Sequence, residues 1–173
     1  MRRLRESPER RTQMGNRATV IFTDGKESFS PAVYLHWNGS PESVYGFLEE
    51  LNRRGVRADQ EYECARFIQL VGEFFDQDTQ GGYSLGIANG PKSDSLADLK
   101  LVGTDKGDNG IYLVNRINGL SVRRFTEDYR NETIEEMSKE NVDRERFTAY
   151  SHKYGLLRDN FTEIARGRKV AAY

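Results

Sequence analysis

Cysteine and histidine are nearly absent from this 173-residue sequence: Cys64 is the lone thiol, and His36 and His152 are the two imidazoles. A single cysteine excludes an intramolecular disulfide and a cysteine-built zinc site, and it fits a reducing compartment. Two histidines so far apart give no recognisable metal-ligand spacing. Neither a metal nor a cofactor is therefore expected. No apolar run approaches the ~20 residues that span a bilayer, and the opening residues lack the charged, apolar, small-residue order of an export signal. The expectation is a soluble, cytoplasmic protein with no membrane partner. Net charge is also small, −1 overall, but it is unevenly placed. Residues 1–13 hold five arginines against two glutamates, +3, which leaves −4 on residues 14–173. That opening segment has almost no apolar side chain to pack, and it is expected to be a disordered basic extension.

What is present is a folded domain's worth of apolar surface. Hydrophobic residues make up 36% of the chain, with nine Phe and nine Tyr, enough to bury a core at this length. The chain is organised around residues 32–51. Val33, Leu35 and Trp37 alternate with Tyr34 and His36, the period of a half-buried strand, which places Trp37 in the core and His36 on the other face. Asn38-Gly39 breaks the strand. Ser40 offers an N-cap hydroxyl, Pro41 suits the first helical position and Glu42 faces the positive end of the helix dipole. Val44, Phe47, Leu48 and Leu51 then form one apolar stripe.

Around this unit, residues 17–23 read as a first strand, followed by the Asp24-Gly25 turn. Arg53, Arg54 and Gly55 close the first helix. A second helix is expected from Asp59, with Cys64, Phe67, Ile68, Val71, Phe74 and Phe75 at helical spacing. Residues 83–88 alternate as a third strand, and residues 92–99 make a loop or a short helical turn. Residues 111–116 and 121–125 flank Asn118-Gly119, the type I′ hairpin signal. The order predicts an α+β domain over residues 14–125, an antiparallel sheet of about five strands with two helices packed on one face. Residues 126–173 are dense in charge of both signs. Ile134 and Met137, then Phe147, Tyr150 and Tyr154, then Leu157, Phe161 and Ile164 have helical spacing, so two or three short helices are expected, docked on the sheet or on a second subunit.

Candidate chemistry is sparse. His36 suits proton transfer near neutral pH but needs a partner, for which Asp105 or Asp108 is the candidate. A Cys64–His36 thiol–imidazole pair is disfavoured because Cys64 lies in an apolar stripe, where a thiolate is poorly solvated. Residues 86–93 approximate a phosphate loop, yet the glycines are one residue too close and Pro91 removes a needed N–H. Residues 105–116 approximate a calcium loop, but Gly107 and Arg116 occupy ligand positions. Arg123-Arg124, Arg53-Arg54 and Arg166, Arg168 and Lys169 are candidate cations for nucleic acid. The acidic charge of the folded part argues against that as the principal ligand.

Residues 16–44 resemble the opening of a broad group of small uncharacterised proteins from phages and other mobile elements. The shared pattern is a short strand, an Asp-Gly turn, a strand ending in Tyr-x-His-Trp-Asp-Gly, then Pro-Glu and a helix. Here these are Asp24-Gly25, Tyr34, His36-Trp37-Asn38-Gly39 and Pro41-Glu42, with Asn38 in place of Asp. The resemblance implies a mobile-element origin and carries over no catalytic residue. The function expected is a non-catalytic protein-binding module that inhibits a host defence system of the CRISPR or restriction kind. The expected contacts are Tyr34, His36, Tyr150 and Tyr154, with Arg123 and Arg124 as further binding residues. The partner is a host protein or complex, with a homodimer through the C-terminal helices as a further expectation. The alternatives are a small hydrolase or transferase using His36 as acid or base, and a nucleic-acid-binding accessory protein.

Overall fold

In the computed structural model of the chain, β1 (Ala18–Phe22) is buried along its whole length. The structure describes residues 16–75, 85–103, 109–128, 131 and 133–170, and at 103, 128, 152–156, 160 and 162–170 it describes the backbone alone. The basic segment 1–13 and the acidic, glycine-rich stretch 76–82 lie outside the described residues. On one side β1 pairs antiparallel with β2 (Ala32–Leu35); on the other it pairs parallel with β4 (Ile111–Asn115). A parallel neighbour requires a long crossover. It is supplied by α1 (Pro41–Arg53), α2 (Gln60–Phe75), β3 (Leu85–Ala88) and α3 (Leu96–Gly103). With β5 (Ser121–Asp128) and β6 (Thr133–Glu136) the sheet has six strands in the order β3-β2-β1-β4-β5-β6.

The fold is α+β, as expected, but its sheet is mixed where an antiparallel one was expected. The helices also cover both faces rather than one. Val20, Phe22, Val33, Leu35, Tyr112 and Val114 pack toward α1, α2 and α4 (Lys139–Val170). Ile21, Ala32, Ile111, Leu113 and Phe125 pack the other way, against Leu99 and Val102 of α3. The physical reason is in β1 itself: a strand apolar on both faces needs two covers, the condition usual for parallel strands.

The boundary expected near residue 125 falls inside β5, and Ile134, expected on a helix, is a strand residue of β6 facing the second core. Beyond it, one 32-residue helix replaces the two or three expected. At 1.5 Å per residue α4 runs about 48 Å. Its buried face, Val142, Ala149, Leu157 and Phe161, lies on the first core and against α1 of the same chain. Gly46 permits that approach, because a Cβ there would sit 2.0 Å from Leu157 Cδ1. Among the described residues no helix is long and apolar enough to cross a membrane.

Two local expectations are corrected. Ser40 occupies the N-cap of α1 without a side-chain cap bond, so Pro41 and the Ser40 carbonyl, bonded by the Val44 amide at 3.0 Å, start the helix. The Asn118-Gly119 turn is not type I′. Gly119 has a φ of 96° but Asn118 does not share the left-handed region, and five residues separate the last ladder pair, Asn115 and Ser121. Arg116 leaves the ladder and turns inward. Its guanidinium meets Glu63 of α2 at 2.7 Å, Asn52 Oδ1 at 2.7 and 2.9 Å, and the Val56 carbonyl at 3.0 Å. Both ions are almost wholly buried, and burial holds the Glu63 carboxyl above its ordinary range despite the adjacent cation. This pair ties the hairpin to the α1–α2 connection.

Removing one partner of such a pair strands the other. Arg116→Met is expected to cost about 3–5 kcal/mol by urea unfolding, and Arg116→Met with Glu63→Leu to recover most of it. Equal losses in the single and double variants would show that the ions do not act as a pair.

Candidate interaction surface

The expected contact residues divide between the two faces of the sheet. β2 ends at Leu35, and the chain turns over residues 36–39 rather than continuing as a strand. Asn38 takes a left-handed φ of 57°, and Gly39 lies so close to the first strand that a Cβ would come within 2.6 Å of the backbone of Asn16, Arg17 and Ala18. The corner is held from three directions. The Gly39 amide donates to the Asn16 carbonyl at 2.6 Å, the Asn16 amide donates to the His36 carbonyl at 3.2 Å, and the buried Tyr112 hydroxyl donates to the Gly39 carbonyl at 3.1 Å.

Trp37, expected in the core, is 47% exposed. The side-chain alternation ends with β2 at Leu35, two residues before Trp37, and Asn38-Gly39 marks the turn that follows. His36 stands edge-on to the Trp37 ring, with centroids 5.0 Å apart, and its Nδ1 shares a 3.0 Å hydrogen bond with the Tyr34 hydroxyl. Tyr34 in turn lies over Gly86 of β3. The three rings thus form one aromatic corner on partly exposed surface.

As a proton-transfer site the corner holds no acid among the described residues in hydrogen-bond contact with His36. Among the described residues the hydrogen-bond partner of the His36 ring is the Tyr34 hydroxyl, and Asp105 and Asp108 lie outside the described residues. Cys64 is no partner either. Its thiol points at the Pro31 carbonyl at 3.6 Å, just before β2 begins, about 16 Å of extended chain from His36. Burial pushes that thiol up from its ordinary value, which makes it a poorer nucleophile at neutral pH. Among the described residues no group of three or more His, Cys, Asp and Glu is placed to hold a metal ion.

Arg53, Arg54, Arg123 and Arg124 are engaged within the fold. Arg123, on the α3 side of β5, meets Glu136 through Nε at 2.6 Å and Nη2 at 2.9 Å, and Asp94 at 2.6 Å. Arg124, on the other side, is buried; it pairs with Glu145 of α4, donates to the Asn109 carbonyl at 2.9 Å and covers the Tyr112 ring. Arg53 and Arg54 both meet Glu50, and Arg54 also meets Glu73 at 2.6 Å. Burial raises the Glu50 carboxyl, but the hydrogen bonds from Arg53 and Arg54 reverse this and leave it below its ordinary range. The side chains of Arg166, Arg168, Lys169 and Tyr154 lie outside those described. Tyr150 is 53% exposed on α4, and Phe147, expected on an apolar stripe, is 74% exposed one turn before it. They lie on the helix that covers the face opposite Tyr34.

Because the folded Glu50 is more acidic than in the unfolded chain, the stability it adds is present above the ordinary glutamate value and is lost as pH falls through its folded value. Unfolding midpoints measured from neutral to acidic pH are expected to fall more shallowly for Glu50→Gln than for the native chain; parallel curves would remove Glu50 from the account. Trp37 is the one tryptophan, so native fluorescence reads this corner directly. Iodide is expected to quench it in the folded protein, and Gly39→Ala to cost about 1–3 kcal/mol while shifting that emission. An unquenchable native signal would return Trp37 to the core. Comparison of the chain with protein-family models, with curated proteins and with solved structures finds no match.

Proposed function

We propose that this protein is a non-catalytic protein-binding module that anchors a partner through the corner formed by Tyr34, His36 and Trp37. The observation that carries the reading is Trp37, a large ring left half exposed on a backbone fixed by three hydrogen bonds. A rigidly presented tryptophan loses little conformational entropy on binding, and Trp and Tyr dominate the energetic centres of protein interfaces. Two further facts support it. Among the described residues the His36 ring is bonded to a phenol rather than an acid, which favours binding over the hydrolase or transferase alternative. Arg53, Arg54, Arg123 and Arg124 are paired with carboxylates, which weakens the nucleic-acid alternative.

The partner class rests on the resemblance of residues 16–44 to mobile-element proteins: a host defence protein or complex of the CRISPR or restriction kind. Tyr150 and Phe147 offer α4 as a second contact surface, for that partner or for another copy of the chain.

The test uses the full chain expressed in a host with an active defence system. The native protein is expected to restore plating of a restricted phage and to co-purify with one defence component in fixed ratio. Trp37→Ala is expected to weaken that binding by about 2 kcal/mol or more, roughly thirtyfold in Kd, with its unfolding midpoint unchanged. Binding indifferent to Trp37→Ala and His36→Ala would move the interface elsewhere. Full activity with no bound host protein would end the reading.

A further inference from the structure

Residues 54–57, between α1 and α2, border a cleft of about 470 Å³ together with side chains of α2. Leu51 and Leu70 lie almost wholly buried beneath it, the partly buried Val56 and the exposed Tyr62 give it an apolar wall, and Arg54, Arg57 and Arg66 surround it; none of the described residues that line it is a carboxylate. The three cations differ in how far they are neutralised. Arg54 meets Glu50 and Glu73, at 2.8 and 2.6 Å. Arg57 is 72% exposed and meets Asp59 at the long distance of 3.7 Å. Arg66 donates to neutral acceptors, Gln69 Oε1 at 2.6 Å and the Tyr62 hydroxyl at 3.0 Å. The guanidiniums of Arg57 and Arg66 both lie over the Tyr62 ring, 4.8 and 5.0 Å from its centroid.

We propose that this cleft binds a small organic phosphate, with the size and chemistry of a mononucleoside monophosphate. Two weakly neutralised guanidiniums held over one aromatic ring present a fixed array of N–H donors, which suits a phosphoryl group with three acceptor oxygens. Stacking on Tyr62 holds that array before a ligand arrives. The apolar wall of Val56 and Tyr62 takes the planar body of the ligand, and the volume lies within the range usual for small-molecule sites. A nucleic-acid strand is disfavoured by the surroundings: residues 41–75 carry seven carboxylates against four arginines, so an extended phosphate chain would run onto Asp59, Glu61 and Glu73.

The full chain titrated with AMP, adenosine, inorganic phosphate and a short single-stranded oligonucleotide, by calorimetry and amide NMR, tests this. AMP is expected to bind one to one with shifts at residues 54–70, and adenosine and phosphate each at least about tenfold more weakly, since each lacks part of the charged contact or the apolar body. Arg57→Ala and Arg66→Ala are each expected to lower AMP affinity roughly ten- to a hundredfold. Arg66→Lys, which keeps the charge and loses the fork, is expected to fall between. Arg57 is surface-exposed, so its variant keeps the native unfolding midpoint and reads binding alone. No AMP binding by the native chain, equal affinity for phosphate and AMP, affinity unmoved in Arg57→Ala and Arg66→Ala, or tighter and steeply salt-dependent binding of the oligonucleotide would each overturn the proposal.

Discussion

The burial of β1 on both faces is the constraint from which the rest of the architecture follows. Four of its five residues carry apolar side chains toward both sides of the sheet, and the fifth, Thr19, is buried with them. A strand of that kind is stable at the centre of a sheet with a layer on each face. The antiparallel β2 occupies one neighbour position, so the other must be filled from farther along the chain. The crossover to β4 brings α3 to the second face and leaves α1 and α2 on the first. The mixed sheet and the two cores are one solution to one problem.

Electrostatics then decide what the molecule keeps for itself and what it shows. Glu63–Arg116 and Arg124–Glu145 link elements distant in sequence, and both arginines are largely removed from water. Glu50, buried, gathers Arg53 and Arg54 at the end of α1, and Arg54 reaches Glu73 and covers the Phe161 ring of α4. A chain with 31% charged residues therefore uses many of its arginines as internal fasteners. A buried ion pair contributes little net stability over an apolar pair, but it tolerates few alternative arrangements, which suits the joints between helices and sheet. Arg57 and Arg66, by contrast, stay at the surface around Tyr62.

The aromatic corner and the arginine cleft lie in parts of the chain where regular structure stops. At residues 36–39 the strand ends, a left-handed Asn38 and the backbone contact at Gly39 fix the turn, and Trp37 is carried outward. At residues 54–59 the chain passes from one helix to the next, and Arg57 of that passage meets the Tyr62 ring of α2, which Arg66 also covers. Loops held by a rigid scaffold are the usual seats of recognition. Neither place depends on the other, and they call on different chemistry.

Much of the fold was legible in local pattern. Val44, Phe47, Leu48 and Leu51 showed α1, the stripe from Cys64 to Phe75 showed α2, and the alternation of residues 18–22 and 111–115 showed β1 and β4, because these periods are set by each element's own geometry. Trp37 departs from the expected burial because alternation says which face a residue occupies but not where the strand ends. The pairing of β1 with β4, the single long α4 and the sorting of Arg123 and Arg124 to opposite faces depend on residues far apart in the chain. The amino-acid order alone determined α1, α2, most strands and the inert setting of Cys64. Tertiary structure alone decided that β1 is parallel to β4, that Trp37 stands in solvent and that Tyr62 meets two guanidiniums, because proximity across the fold is a property of packing and leaves no period in the sequence.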